Sequence, residues 1–336
     1  MPMIRLAIDV GSLITKIYMP GCGVVLSEAT CVAVETEGGK PACKAFGDRA
    51  RALWGKAAQN TRILNPVSEG EIVYPELLSE LLNYFFGKIE ISRRKAKNCE
   101  VMFVIPCGAK DELIQNYLDV AYACGIGRTC FTQAPFAAVI GQNVTLSETT
   151  PVFSLDVGYG ITNIAVVSLD GIISGLSVNL GGGNIDLELM DYMAENFRIK
   201  IGSQTAEKLK NTVGSLLEDD NKMMVVDGRS LDGGTPLSVA VNSSQIEECI
   251  TLYVDKILEY VNIVLSKLPA EVMSAVMHSG IYLSGGLSKL DGFGEYVSAK
   301  LGIPVNESEE PALCSVIGGG TILANDYLRS ALATAE

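Results

Sequence analysis

Histidine is almost missing: His278 is the only one in 336 residues. This excludes a histidine-built metal centre and a Ser-His-Asp triad. Paired cysteine motifs are missing too. The nine cysteines (Cys22, Cys31, Cys43, Cys99, Cys107, Cys124, Cys130, Cys249 and Cys314) never fall into a C-x-x-C spacing. An odd, scattered set in a chain of this length reads as reduced thiols of a cytoplasmic protein, not a disulfide framework. Positive charge is in short supply, with 26 Lys and Arg against 39 Asp and Glu. A net charge of −13 argues against a broad nucleic-acid-binding surface, so no nucleic-acid partner is expected. No uncharged apolar run reaches the ~18 residues of a membrane span. The N-terminus also lacks the basic-then-apolar layout of a signal peptide. What is abundant is apolar residue, 48% of the chain, enough for two large lobes.

The feature that organises the chain is a repeat. "LAIDVGSLITKIYM" (6–19) reads as strand, Asp, glycine turn, strand, and "FSLDVGYGITNIAVV" (153–167) reads the same way. Asp9, Val10, Gly11 and Thr15 match Asp156, Val157, Gly158 and Thr162 in register. Two such turns between β-branched runs suggest two similar α/β halves. Between them the pattern predicts a helix opened by Pro75, a buried strand over "EVMFVIP", a helix over "AKDELIQNYLDVAYACG", the strand "RTCFTQ" and a helix after Pro135. Residues 40–66 are polar and broken, which suggests a small helical insertion or subdomain. The second half predicts helices at 184–198 and 203–218, a β-rich excursion over 222–242 and a helix capped by Ser243 or Ser244.

A glycine turn exposes successive backbone N–H groups that can face phosphate oxygens, and Lys16 adds a point charge. Asp9 would repel phosphate unless a Mg²⁺ lies between them, held mostly through water. A single turn of this kind is equally an ordinary hairpin. A second one, with Asp156, Gly158 and Gly160, makes a pair of carboxylates flanking one metal–phosphate group the more economical reading. A third glycine pair, Gly285-Gly286 in "YLSGGLSKLDGF", lies between a strand and a helix. There a backbone can approach a base or ribose, or simply turn.

The order of these motifs resembles the actin-like ATPase superfamily, and within it the MreB branch. The stretches "IGSQTAEKLKNTVGSL" (201–216), "VDGRSLDGGTPLSVAVNSSQI" (226–246) and "GIPVNESEEPALCSVIGGG" (302–320) carry the branch-specific likeness. The resemblance covers nearly the whole chain. It implies an α/β, actin-like two-lobe fold with duplicated ribonuclease-H-like domains and two small inserted subdomains. The expected first lobe is 1–146, with its subdomain at about 32–66. The expected second lobe is 147–336, with its subdomain at about 181–243.

The resemblance also implies site roles. Asp9 and Asp156 match the carboxylates that organise Mg²⁺ and water. Gly11, Ser12, Leu13 and Ile14 match the first phosphate loop, and Gly158, Tyr159, Gly160 and Ile161 the second. Glu207 and Lys210, three apart on one helix face, match the pair near ribose and base; a solvated ion pair is the alternative. Gly285, Gly286 and Leu287 match the loop against the adenosine. Gln133 falls where the family positions the attacking water. ATP or ADP with Mg²⁺ is the implied ligand, and filaments of the chain itself are the implied assembly. The implied activity is ATP hydrolysis coupled to assembly in the cytoplasm, in cell-shape or cell-wall organisation. Alternatives are a non-polymerising nucleotide-binding scaffold, a filament for organelle or plasmid positioning, and a small-molecule kinase on the same fold.

Four positions depart from the family pattern. Gln133-Ala134-Pro135 stands where Glu-Glu-Pro is usual; glutamine can orient water but cannot act as a carboxylate base. Lys16, in which the chain resembles eukaryotic actin, stands where the MreB branch usually has an apolar residue. Ile161 replaces a Thr and Gly183 replaces an Asp. The segment 87–98, "GKIEISRRKAKN", offers a contact with the inner membrane surface. Ile89 and Ile91 would enter lipid, and Arg93, Arg94, Lys95 and Lys97 would meet anionic headgroups at ~1 kcal/mol each. A solvated basic loop is the alternative.

Overall fold

The computed structural model describes residues 3–37, 40–217 and 220–335. Positions 1 and 336, which bound the expected lobes, and residue 218, the expected end of one helix, lie outside the described residues.

Two central sheets repeat one plan. In the first, Ile4–Val10, Ile14–Met19 and Gly23–Ala29 form an antiparallel meander. Cys99–Ile105 then adds in parallel beside Ile4–Val10, and Arg128–Gln133 beside that. In the second, Val152–Val157, Thr162–Ser168 and Gly171–Val178 form the meander. Ile281–Ser284 and Val305–Glu307 add in parallel on its other side. Parallel neighbours need crossovers, which here carry helices such as Pro75–Lys88 and Ser243–Leu265. Every residue of Cys99–Ile105 is buried, as expected for a central parallel strand covered on both faces. Asp9 and Asp156 each stand one residue before the end of their strand, Ile4–Val10 and Val152–Val157, where α/β sheets place ligands.

Each sheet carries a small inserted one. The first joins Val32–Glu37 to Lys40–Phe46 and Thr61–Leu64. The 40–66 segment, expected as a small helical insertion or subdomain, carries two strands and one short helix, Gly47–Arg51. Its alternation of small apolar and polar residues serves a half-buried strand. The second inserted sheet joins Ile199–Lys200 to the hairpin Met223–Ser230 and Pro236–Asn242, beside helix Ser203–Val213. The helix Ser243–Leu265 is capped one residue earlier than expected. Asn242 accepts from the Gln245 N–H at 3.1 Å, and the Gln245 side chain accepts from the Asn242 N–H at 2.9 Å.

The end of the chain returns to the first sheet. Helix Cys314–Ala324 packs on Ile4–Val10 and Cys99–Ile105, and Thr334–Ala335 pairs with Arg128–Gln133. The span 147–336 thus includes a C-terminal segment that sits on the first sheet, a placement that a division by repeated motif cannot see. One apolar cluster fills each lobe, and a third, with Val104, Ala137, Val139, Ala165 and Ile322, joins the two sheets.

The 87–98 segment differs from its expectation. Ile91 is only 5% exposed, and Ile89 packs against the first core. Ser92 caps a short helix, Arg93–Ala96, that turns the basic side chains outward and the isoleucines inward. Ile91 is withdrawn into the core and Ile89 partly so, which reduces the expected apolar anchor for lipid. Among the described residues no helix is long and apolar enough to cross a membrane.

Candidate functional site

The two Asp-Gly turns have the same local geometry. The Gly11 N–H donates to the Ile14 carbonyl at 3.2 Å, and the Gly158 N–H donates to the Ile161 carbonyl at 2.9 Å. A Cβ on either glycine would lie 2.8 Å from that carbonyl oxygen, closer than a side chain tolerates. The turns meet across the interlobe gap: a Cβ on Gly160 would sit 2.6 Å from Ser12 Oγ. The glycines therefore do two things at once, closing each turn and letting the lobes approach.

A cavity of about 180 Å³ lies between them. Asp9, Gly11, Ser12, Leu13, Ile14 and Lys16 line it from one side, and Asp156, Gly158, Tyr159, Gly160 and Ile161 from the other. Gly285 and Gly286 close one end. A wider cavity of about 340 Å³ continues from it, lined by Glu207, Lys210 and Leu287. Gly285 has φ +90°, and a Cβ there would lie 2.2 Å from the Val157 carbonyl oxygen, so only glycine fits. Gly286 has open space beside it.

The register explains the electrostatics. Asp9 is paired across its hairpin with Lys16, and Lys16 Nζ reaches Asp9 Oδ2 at 2.9 Å. The same register pairs Asp156 with Asn163, whose Nδ2 donates to Asp156 Oδ2 at 3.1 Å. The Ser284 hydroxyl donates to Asp156 Oδ1 at 3.2 Å. Loss of water and the nearby Asp9 carboxylate push Asp156 up to about 6, while Asn163, Lys16 and Ser284 pull the other way. Asn163 Oδ1 also accepts from the Cys107 N–H at 3.0 Å, a bond between lobes. The repeat held a signal for this residue, since Asn163 and Lys16 stand at the same distance from their aspartates.

The departures from pattern form contacts. The Tyr159 ring fills the space over Gly183, where a Cβ would lie 3.0 Å from Cε1. The glycine at 183 and the tyrosine at 159 are thus a matched pair. Ile161 reaches Gly70 of the other lobe, and its Cδ1 would be 2.7 Å from a Cβ there. The lost hydroxyl is exchanged for an apolar contact between lobes.

Glu207 and Lys210 do not pair with each other. Glu207 is bound by Arg51 from the opposite small sheet, and Gln204 Nε2 donates to the Arg51 carbonyl at 2.7 Å. Lys210 is buried, 2.7 Å from Asp186 Oδ1, and donates to the Gly182 carbonyl at 2.7 Å. Its Nζ lies 5.3 Å from the Tyr159 ring centre. Burial lowers the pKa of Lys210 and raises that of Asp186, and their mutual attraction opposes both changes. The solvated ion pair is therefore replaced by two separate partnerships, because each side chain finds a nearer opposite charge.

Gln133 lines neither cavity. It precedes helix Ala134–Gly141, and its Oε1 accepts from the Gly108 N–H at 2.8 Å. Arg51 and Tyr117, which do line interlobe cavities, escaped sequence reasoning; neither belongs to a glycine motif.

The MreB/Mbl protein family model matches residues 3–330 of the chain. The cell shape-determining protein MreB of Escherichia coli (strain K12) is 30% identical over 321 residues, covering 95% of this chain and 92% of that protein. Among solved structures, MreB5 of Spiroplasma citri bound to ADP is 23% identical with a TM-score of 0.91, covering 98% of each chain. A chain of the MamK double helical filament is 17% identical with a TM-score of 0.78, covering 96% of this chain and 99% of that one. These structural likenesses establish the two-lobe, actin-like α/β fold.

Proposed function

The chain belongs to the MreB/Mbl family, and from that premise we propose that it is a cytoplasmic, nucleotide-dependent filament protein serving cell shape or cell-wall organisation. ATP binds with its phosphates between the two Asp-Gly turns and its nucleoside in the wider cavity. The observation that carries this reading is the mirrored pair of turns, with Asp9 and Asp156 facing one interlobe cavity. The relative from Spiroplasma citri has been solved with ADP and with AMPPNP, and MamK as a double helical filament, which supports a nucleotide in the cleft and self-assembly.

The donor set suits Mg²⁺ held through water. Two carboxylates line the cavity, and among the described residues no cluster of three or more His, Cys, Asp or Glu stands together. Mg²⁺ keeps several waters and takes further ligands from phosphate, where it neutralises charge. Asp9 and Asp156 orient those waters. The turn N–H groups and Lys16 hold phosphate oxygens, and Leu287 packs against the nucleoside. Hydrolysis is slow, because the Gln133 amide oxygen already serves Gly108. That same observation favours one second reading, a scaffold that binds nucleotide without turnover or assembly.

Sedimentation and negative-stain microscopy with ATP–Mg²⁺, ADP–Mg²⁺ or no nucleotide, with phosphate release followed in the same samples, separate the two. Filaments that depend on ATP, with slow phosphate release, are the expected outcome. Nucleotide-bound monomers at every concentration would sink the filament reading and leave the scaffold.

A further inference from the structure

Tyr117 lies on helix Asp111–Cys124 and is 2% exposed. Its ring is fixed in the first core, with centroids 4.9 Å from Phe103 and 6.3 Å from Phe131. The residue nevertheless lines the 180 Å³ cavity between the two turns, beside Asp9 and Pro106. Asp9 lines the same cavity as Tyr117, and burial together with the Asp9 and Glu71 charges keeps the phenol protonated. Among the described residues no side chain or backbone group is bonded to the hydroxyl, which is not fully enclosed and so opens onto the cavity. A hydroxyl placed there is free to meet a ligand oxygen.

We propose that Tyr117 is a ligand-contacting residue of the cleft, its hydroxyl donating a hydrogen bond to an oxygen at the terminal-phosphate end of a bound nucleoside triphosphate. This rests on the nucleotide reading above. The phenol has no acceptor to lose in the empty protein, so the bond forms only with ligand present. A diphosphate ends short of Asp9 and gains little from it. Tyr117 thereby distinguishes triphosphate from diphosphate without a charge, beside Lys16, which is already bound to Asp9.

The test is Tyr117→Phe, which keeps the ring and its aromatic neighbours. Binding of a non-hydrolysable ATP analogue and of ADP, both with Mg²⁺, is measured by calorimetry, and the thermal midpoint is measured without nucleotide. The expected result is analogue affinity reduced about tenfold or more, ADP affinity within about twofold, and a nucleotide-free midpoint equal to or above wild type. Equal effects on analogue and ADP, or no effect on either, would overturn the proposal while leaving the nucleotide reading intact. A midpoint lowered by more than about 2 °C would also overturn it, by revealing a protein partner for the hydroxyl. Failure of the wild-type chain to bind either nucleotide would remove the parent reading and this one together.

Discussion

Asp156 is held between opposing demands. It faces a narrow cavity, loses water on folding and stands near Asp9, so its pKa rises to about 6. The unfolded chain holds an aspartate near ~3.9. The folded state therefore binds the proton more tightly, and the stability this contributes is complete below about pH 4 and lost as pH rises through about 6. In the nucleotide- and metal-free protein this group should cost roughly 1–3 kcal/mol between pH 4 and 7, discounted for its contact with cavity water. Urea midpoints at several pH values, compared between wild type and Asp156→Asn, measure it. The variant should lose that part of the pH dependence, and a profile parallel to wild type would show that Asp156 keeps an ordinary pKa. At this scale the sequence was legible where one residue type is compulsory. Gly11, Gly158 and Gly285 each exclude a Cβ by contact with backbone, and such positions announce themselves as glycine beside a repeated aspartate. Arg51 and Tyr117 were not legible, and Asn163 was marked only by its match to Lys16 in the repeat, not by its bond across the lobes. Their partners lie in distant segments: Cys107 is 56 positions from Asn163, and Glu207 is 156 from Arg51.

The elements that join the lobes are two short helices rich in small residues. Ala134–Gly141 and Cys314–Ala324 cross so closely that a Cβ on Gly318 would lie 1.8 Å from the Ala137 carbonyl oxygen. A Cβ on Gly141 would lie 1.9 Å from the Cys314 carbonyl oxygen. One helix leans on Val152–Val157 of the second sheet, the other on Ile4–Val10 of the first, so their crossing sets how the sheets face each other. The "IGGG" run at 317–320 lies at this crossing. Which helix it meets was not readable, because nothing local to residues 317–320 names Ala137 as its partner. Gly318→Ala should cost about 3 kcal/mol or more, since the clash is with backbone on both sides. Gly319→Ala, whose new methyl meets side chains only, Val104 Cγ2 at 2.9 Å and Ala7 Cβ at 3.4 Å, should cost about 1 kcal/mol. Denaturant midpoints of the two variants decide the matter, and equal losses would mean that the helices separate freely.

Across the whole molecule, the lobes are held together at the mouth of the cleft as well as at its base. Arg51, at the end of the short helix beside one small sheet, binds Glu207 beside the other, and Gln204 holds the Arg51 carbonyl. Asn179 Nδ2 reaches Glu69 Oε2 at 3.0 Å in a second contact between lobes. Glu207 also lines the wider cavity, so a nucleoside placed there shares a residue with the clasp. Closure and nucleotide occupancy are then linked quantities. Either one stabilises the other, by the reciprocity of any two events that favour one state. The clasp is partly exposed, so its loss should be worth about 1 kcal/mol, about a fivefold shift toward open lobes. Trp54, the only tryptophan, lines the small cavity shared by Arg51, Gln204 and Glu207 and reports on that contact directly. Acrylamide quenching of Trp54 should increase in Arg51→Ala without nucleotide and return toward the wild-type value with saturating ATP–Mg²⁺. If assembly requires closed lobes, the same variant needs a higher protein concentration to form filaments, by about the same factor. Quenching identical to wild type would mean that Arg51 does not hold the cleft, and that the Asn179–Glu69 contact and the apolar cluster at the base keep the lobes closed.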